Sequence, residues 1–450
     1  MSGLLPEGCR PPLTLPGQNG IVETEKKQTA LPSFPEELMN TLLHSQADTI
    51  IRSALSAVHP ARGMQRALAG FQPPAGRLIL IAAGKAAWTM AEAALPMLPP
   101  PDAGLIVTKY GHSRGPLPGM EIRETGHPLP DNSSCAAGLR ALELVQGLTE
   151  DDTVLLLLSG GASALFELPR IPLAELEDVT SQLLSCGAGI GEINTVRAAF
   201  SSLKGGRFGA ACAPARVVSV LLSDVGDASP DYIGGGPAAQ KAPKKGEARR
   251  IALKYGLRLS HSALALLEED PPALAAVPEQ IVIGSVRDLI RSAAEACRRL
   301  GYETIVLPEL LSGEASVTGE WMGRLGRYYS EMPFPRAFIA GGETVVHVTG
   351  SGKGGRNQEL ALAAAPYLRG CSAAVFSLGS DGSDGPTEAA GGYADGDTAE
   401  HLEAQGGSAG RFLRDNNSYY ALARTRGLIF TGPTGTNVND VAVLLCRPKE

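Results

Sequence analysis

Thr153-Val-Leu-Leu-Leu-Leu-Ser-Gly-Gly-Ala-Ser-Ala-Leu165 reads as a strand that runs straight into a glycine turn. The apolar run Val154–Leu158 is too short for a free-standing helix and suits a strand buried on both faces. It stops at Ser159-Gly160-Gly161, where the lack of a Cβ lets backbone approach a ligand closely. Apolar residues resume at Ala162 as a helix would. Ser159, Gly160, Gly161 and Ser163 then offer N–H groups and hydroxyls at its positive end, a phosphate- or carboxylate-binding arrangement. The alternative is an ordinary strand-to-helix turn.

The same alternation extends in both directions. Strands are expected at Leu78–Ala83, Leu105–Thr108 and Val217–Leu222, with helices at Glu36–Ala57, Ala86–Leu95, Ala136–Leu148, Leu173–Leu184 and Glu192–Leu203. In the first helix, Leu38, Leu42, Leu43, Ile50, Ile51 and Leu55 form an apolar stripe. Strand and helix taking turns implies a parallel sheet wound by helices. The Gly/Pro/Lys-containing stretch 225–248 suggests a domain boundary near its end, and a second α/β series follows it. Its expected strands are Gln280–Ile283, Thr304–Leu307, Ala337–Ala340, Thr344–Val348, Ala373–Leu378, Leu428–Phe430 and Val441–Leu445. Its expected helices are Val286–Leu300, Glu314–Tyr329, Asn357–Tyr367 and Ser418–Arg426. The reading is an α/β chain of two α/β domains, 36–245 and 246–450, behind a Pro/Gly-rich arm at 1–35.

Size and composition agree. A chain of 450 residues exceeds what one core usually holds. With 44% hydrophobic and 19% charged residues, and with 54 glycines and 33 prolines, it is loop-punctuated rather than disordered. A net charge of −7 argues against a nucleic-acid partner but permits an anionic substrate at a local basic cluster. The seven cysteines lack metal or disulfide spacing, which fits reduced thiols in a cytoplasm. The N-terminus has no apolar signal region, and no run approaches the roughly 18 apolar residues of a membrane span. Monomer and homodimer are both left open.

Strand ends flow into polar, glycine-rich loops at Gly84-Lys85, Lys109–His112, Ser159–Gly161, Ser223-Asp224, Gly341–Glu343 and Gly379–Gly385. In open α/β sheets, that edge is where ligands bind. Lys85 follows a buried strand directly, so it points into the crevice, although a helix start is the wrong end for a cation. Asn194, Arg197, Ser201 and Lys204 share one expected helix face, either a binding stripe or merely a wet surface. The run Gly350–Gly355 matches G-x-G-x-x-G, the dinucleotide fingerprint. Its Lys353 and Arg356 suit a polyphosphate or carboxylate clamp better, with Glu343 and Asn357 beside it. Asp224, Asp227, Asp381, Asp384, Glu343 and Asp440, all in loops at strand ends, are the carboxylates available to Mg²⁺, which needs one or two beside phosphate oxygens. There is no Walker-type loop, the histidines lack metal spacing, and His127 reads as structural packing.

Nine blocks occur in order: AGKAAWTMA, GHPLPDNSS, LSGGASAL, NTVRAAFSSLKGG, LSDVGD, AGGETVV, GKGGRNQELAL, SDGSDGPTEAAGG and TGPTGTNVND. Together they resemble the glycerate 2-kinase family, whose second domain is the MOFRL domain, over about residues 36–450. The resemblance implies Mg²⁺-dependent transfer of the ATP γ-phosphoryl group to the 2-hydroxyl of D-glycerate. It implies a Rossmann-like first domain, a MOFRL-like second domain and substrates in the cleft between them. It also implies that Lys85 and Arg356 are the catalytic pair. One departure is Val225-Gly226-Asp227, a residue shorter than the family's S-D-V-x-G-D, and it bears on the Asp224–Asp227 loop. Three other readings stay open: a hydroxypyruvate reductase, a kinase of another small hydroxy acid, and a non-catalytic metabolite-binding relative.

Overall fold

The computed structural model describes residues 41–224, 229–241, 244–270, 277–307 and 311–448. The strands are β1 (Leu78–Ala83), β2 (Ala103–Lys109), β3 (Glu121–Thr125), β4 (Thr153–Leu158), β5 (Arg216–Leu222), β6 (Glu279–Gly284), β7 (Glu303–Val306), β8 (Arg336–Gly342), β9 (Ala373–Gly379), β10 (Gly391–Asp395), β11 (Leu428–Ile429) and β12 (Asp440–Cys446). The helices of the first half are α1 (Thr41–Ala57), α2 (Pro60–Leu68), α3 (Ala87–Ala94), α4 (Asn132–Leu144), α5 (Ala162–Leu165), α6 (Leu173–Ser185), α7 (Ile190–Ala199) and α8 (Arg207–Ala211). Those of the second are α9 (Glu247–Lys254), α10 (His261–Leu266), α11 (Val286–Arg299), α12 (Ala315–Tyr329), α13 (Arg356–Leu368), α14 (Thr398–Ala404), α15 (Ala409–Arg414) and α16 (Ser418–Arg424).

The strands form two sheets. The first is wholly parallel in the order β3-β2-β1-β4-β5-β6. This is the 3-2-1-4-5-6 order of a Rossmann-type sheet, and it reverses direction between β1 and β4. β4 is buried at every residue, as its unbroken apolar run requires. Its Leu158 pairs with Ala83 of β1, so the turns after these two strands lie level at the switch point.

The second sheet runs β11-β10-β9-β12-β8-β7 and is mixed, because β12 lies antiparallel to both β8 and β9. Asp440, the first residue of β12, therefore pairs with Gly342 and Gly379, the last residues of its neighbours. One strand start and two strand ends meet at a single edge.

Several expectations need correction. The strand at Gln280–Ile283 belongs to the first sheet, where β6 pairs with β5, so a boundary near 245 cuts through a crossover of the first domain. Conversely, α1 leaves the first sheet and packs on the second. Ser53 accepts from Ser292 and Arg299, Gln46 accepts from the Tyr302 hydroxyl at 2.5 Å, and His44 meets the Tyr393 ring edge-on. One apolar core consequently contains Ile50 of α1, Leu155 of the first sheet and Phe376 of the second.

The run Thr344–Val348 is not a strand. It has one bridge, Val345 to Glu314, and Val345 and Val348 stay exposed, so its alternation has no partner sheet. The helix expected over Glu192–Leu203 stops at Ala199, and the one expected after Gly161 is a single turn. Positions 1–40, including the arm and the start of the first helix, lie outside the described residues, as does Asp227.

Candidate active site

The switch-point crevice is lined by the turns after β1 and β4. Lys85 leaves β1 through Gly84, its N–H donating to the Gly160 carbonyl, while Ala86 N–H donates to the Ser159 hydroxyl. The two turns are thereby pinned to each other. Gly160 has no alternative residue: a Cβ there would collide with Asn437 Nδ2 and the Asp224 carboxylate. A Cβ on Gly161 would lie 3.1 Å from the Lys85 stem and 3.3 Å from His127 Nε2. Lys85, His127, Asp224 and Asn437 thus surround one glycine pair.

Burial pushes the Asp224 carboxyl up to about 6, and the nearby Glu343 charge adds to this while Lys85 and the Gly161 N–H oppose it. Burial, with Lys85 and Lys109 close by, pushes His127 down to about 4, so its imidazole is neutral at pH 7. The expected free N–H cluster at Ser159–Gly161 takes a different form. α5 is too short to supply a helix dipole, and Asp224 of the same domain already occupies the Gly161 N–H.

Facing this crevice is the edge of the second sheet. Arg356 opens α13 and holds Asp440 bidentately, Nε to Oδ2 at 2.5 Å and an η nitrogen to Oδ1 at 3.0 Å; its other η nitrogen donates to Glu343 at 2.6 Å. Burial alone would lower the guanidinium, but the carboxylates hold it above its ordinary value. Asp440 is raised by burial to about 6 and is ionised at pH 7, where Arg356 pairs with it.

The loop after β9 carries Asp381, whose Oδ2 accepts from Lys85 Nζ at 2.8 Å, a pair joining the two domains. Burial would raise Asp381, but Lys85 and Ser383 hold it below the usual carboxylate range. A Cβ on Gly379 would sit 3.4 Å from Asp440 and 3.5 Å from Asp381, so both carboxylates flank one point. Their cationic partners, Lys85 and Arg356, therefore converge on the same cleft from opposite domains.

Other expected site residues are engaged elsewhere. Asp384 accepts the backbone N–H groups of Asn357 (3.2 Å) and Gln358 (2.9 Å) and both their side-chain amides. It caps α13 from a distant loop, and with four donors it is saturated rather than open to a metal. Asn357 is buried between Asp384 and Ser377. The glycine-rich run is no phosphate cradle. Asn416 takes the N–H groups of Thr349 and Gly350, Asp415 those of Ser351 and Gly352, and Asn417 that of Lys353. Its glycines let residues 415–418 approach; a Cβ on Gly350, Gly352 or Gly355 would strike backbone or a buried carboxylate.

Lys353 pairs with Glu388 at 3.1 Å and lies over the Tyr419 ring. Asn194 is buried on α7. Arg197 and Lys204 turn inward onto Glu167, which is itself wholly buried. Ser163 gives its carbonyl to Arg197. The stripe expected on one helix face is split, because α7 ends before Ser201 and Lys204.

Sequence reasoning missed Asn437 as a site residue and assigned His127 to packing. Only the position of Asn437 inside the T-G-T-N-V-N-D block pointed to it. Among the described residues, no three His, Cys, Asp or Glu side chains form a ready-made metal cluster, and none of the six described cysteines is in a disulfide. No helix among them is long and apolar enough to cross a membrane.

The chain is similar to known proteins in sequence and in fold. Residues 46–268 match a domain of unknown function, DUF4147, and residues 336–440 match the MOFRL family. The chain is 44% identical to a D-glycerate 2-kinase of Thermotoga maritima over 410 residues, covering 89% of this chain and 98% of that protein. It is 36% identical to a glycerate 2-kinase of Pyrococcus horikoshii, covering 83% and 88%. The crystal structure of a glycerate kinase from Thermotoga maritima aligns with a TM-score of 0.82 at 42% identity, covering 90% of this chain and all of that one.

Proposed function

The chain belongs to the glycerate kinase family, and from that premise we propose that it transfers the γ-phosphoryl group of ATP to the 2-hydroxyl of D-glycerate. The observation carrying this reading is the convergence of Lys85 and Arg356 on Gly379 through Asp381 and Asp440. Phosphoryl transfer needs positioning and charge neutralisation more than covalent chemistry. Two fixed cations contributed by two domains meet that need: one holds the glycerate carboxylate, the other the transferring phosphoryl group. Asp224, ionised above about pH 6 and lodged against Gly160-Gly161, would take the hydroxyl proton in this reading. His127, neutral and close to Lys85 at Gly161, would offer a hydrogen-bond acceptor without adding charge.

The Glu343 charge adds to the upward shift of the buried Asp224 carboxyl, and a divalent cation near Asp224 would offset it. These two residues would hold Mg²⁺, which would neutralise charge on the nucleotide phosphates. Substrates of this kind suit a cytoplasmic enzyme without nucleic-acid or membrane partners.

The reductase reading rested on the G-x-G-x-x-G match. In a dinucleotide fold the helix start after that motif receives the pyrophosphate; here Asp384 already occupies it. The deciding experiment is phosphorus NMR of the product from ATP and D-glycerate, expected to be 2-phosphoglycerate, with no oxidation of NADH by hydroxypyruvate. Replacing Lys85→Ala or Arg356→Ala should lower kcat on the order of 10²–10³-fold. Near-wild-type rates in both variants would remove this site.

A further inference from the structure

Away from the Lys85 cleft, a second charged cluster is sealed inside the first domain. Glu167 is 0% exposed and Lys204 1%. Glu167 accepts from the Ser201 hydroxyl at 2.5 Å and faces Arg197 at 3.4 Å and the Lys204 ammonium at 3.3 Å. The same ammonium donates to the carbonyls of Phe166 (3.2 Å) and Gly234 (3.4 Å), while Arg197 Nε has no partner. Well-packed apolar residues usually stabilise such a site at least as well as a buried ion network. Stability alone therefore does not account for it.

The cluster joins two pieces of the cleft wall. Phe166 closes α5, the single turn that follows Gly160-Gly161. Gly234 lies in the described segment 229–241. That segment is stitched to the residues after Lys204 by Gly205 N–H to Gly235 carbonyl at 3.1 Å and Gly206 N–H to Gly236 carbonyl at 2.8 Å. It also abuts α5, since a Cβ on Gly234 would sit 2.9 Å from the Ala162 methyl.

We infer that Lys204 is a positioning residue for the phosphoryl transfer: its ammonium, clamped by Glu167, ties the end of α5, just after the Ser159–Gly161 turn, to the segment 229–241 and so fixes the wall facing Lys85. This rests on the kinase reading. The charge state supports it. Burial lowers the Lys204 amine to about 8, opposed by Glu167 and aided by Arg197 of α7; Asp231 in the segment 229–241 is turned away to Gln240 and Gln280. Above pH 8 the ion pair lapses, and kcat should fall. Folding stability from this group moves the other way, rising between about pH 8 and 10.5, because there the unfolded chain binds the proton more tightly. A merely structural role would move activity and stability together.

The test uses the full chain. Lys204→Met and the charge-balanced double variant Glu167→Gln/Lys204→Met are compared with wild type for kcat, KM, pH profile and melting. The double variant avoids stranding a buried Glu167 if the single one does not fold. Expected are a kcat lower by on the order of 10–10²-fold, KM values nearly unchanged, a cooperative melt, and no alkaline limb near pH 8. A folded double variant with wild-type kcat, or one that keeps the alkaline limb, overturns the inference while leaving the kinase reading intact. A wild-type protein without turnover of glycerate overturns both.

Discussion

At the scale of single residues, function depends on how each carboxylate is partnered. Asp381 and Asp440 are held by cations, Asp384 by amides, and Asp224 by a backbone N–H beside an opposing Glu343. Only the last arrangement leaves a carboxylate with unused capacity. Asp224 and Asp440 are both raised to about 6, and both are needed ionised. The acid limb of log kcat/KM should therefore rise through about pH 6 with a slope above one. In Asp224→Asn the slope should drop to one at a much lower rate; an unchanged limb would exclude Asp224. The stability sign is opposite. A raised carboxyl makes its largest contribution below the unfolded pKa, about 4, and loses it as pH climbs through 6.

Among elements, α13 is the one on which the second domain's chemistry depends. Arg356 is its first residue, and its direction is set by Asp384 binding the two amides that follow. Asp384→Ala removes a cap and strands buried donors, which should cost about 2–4 kcal/mol. The expected result is a lower Tm together with lost turnover, measured by calorimetry and initial rates. A stable variant with normal rates would mean that α13 needs no distant cap. The glycine-rich run before α13 is best understood through its neighbour: residues 415–418 consume its amides, so its glycines serve packing rather than phosphate.

Across the whole molecule, the two sheets share one core, with α1 and α11 placed between them. α1 precedes the first sheet in sequence yet covers the second through Gln46, Ser53 and Ile50. A chain beginning at residue 60 should therefore lose the cooperative melt of both domains, and residues 246–450 alone should not fold, lacking α1. Calorimetry and size-exclusion chromatography check both. An independently melting second half would show that α1 is dispensable. The Lys85–Asp381 pair crosses the same junction, so the integrity of the site and of the junction are linked.

Local patterns in the chain were enough to determine the buried strand β4, the alternation behind the parallel first sheet, and Lys85 as a cation directly after a buried strand. Those features depend on residues a few positions apart: apolar runs, periodicity and glycine turns. Tertiary structure alone decided that β6 joins the first sheet, that α1 crosses to the second, that β12 runs antiparallel and so brings Asp440 to Arg356, and that Lys204 is sealed against Glu167. Each of these turns on which distant segment fills a vacant edge or neutralises a buried charge. That is a competition among all segments of the chain at once, and no window of sequence contains it.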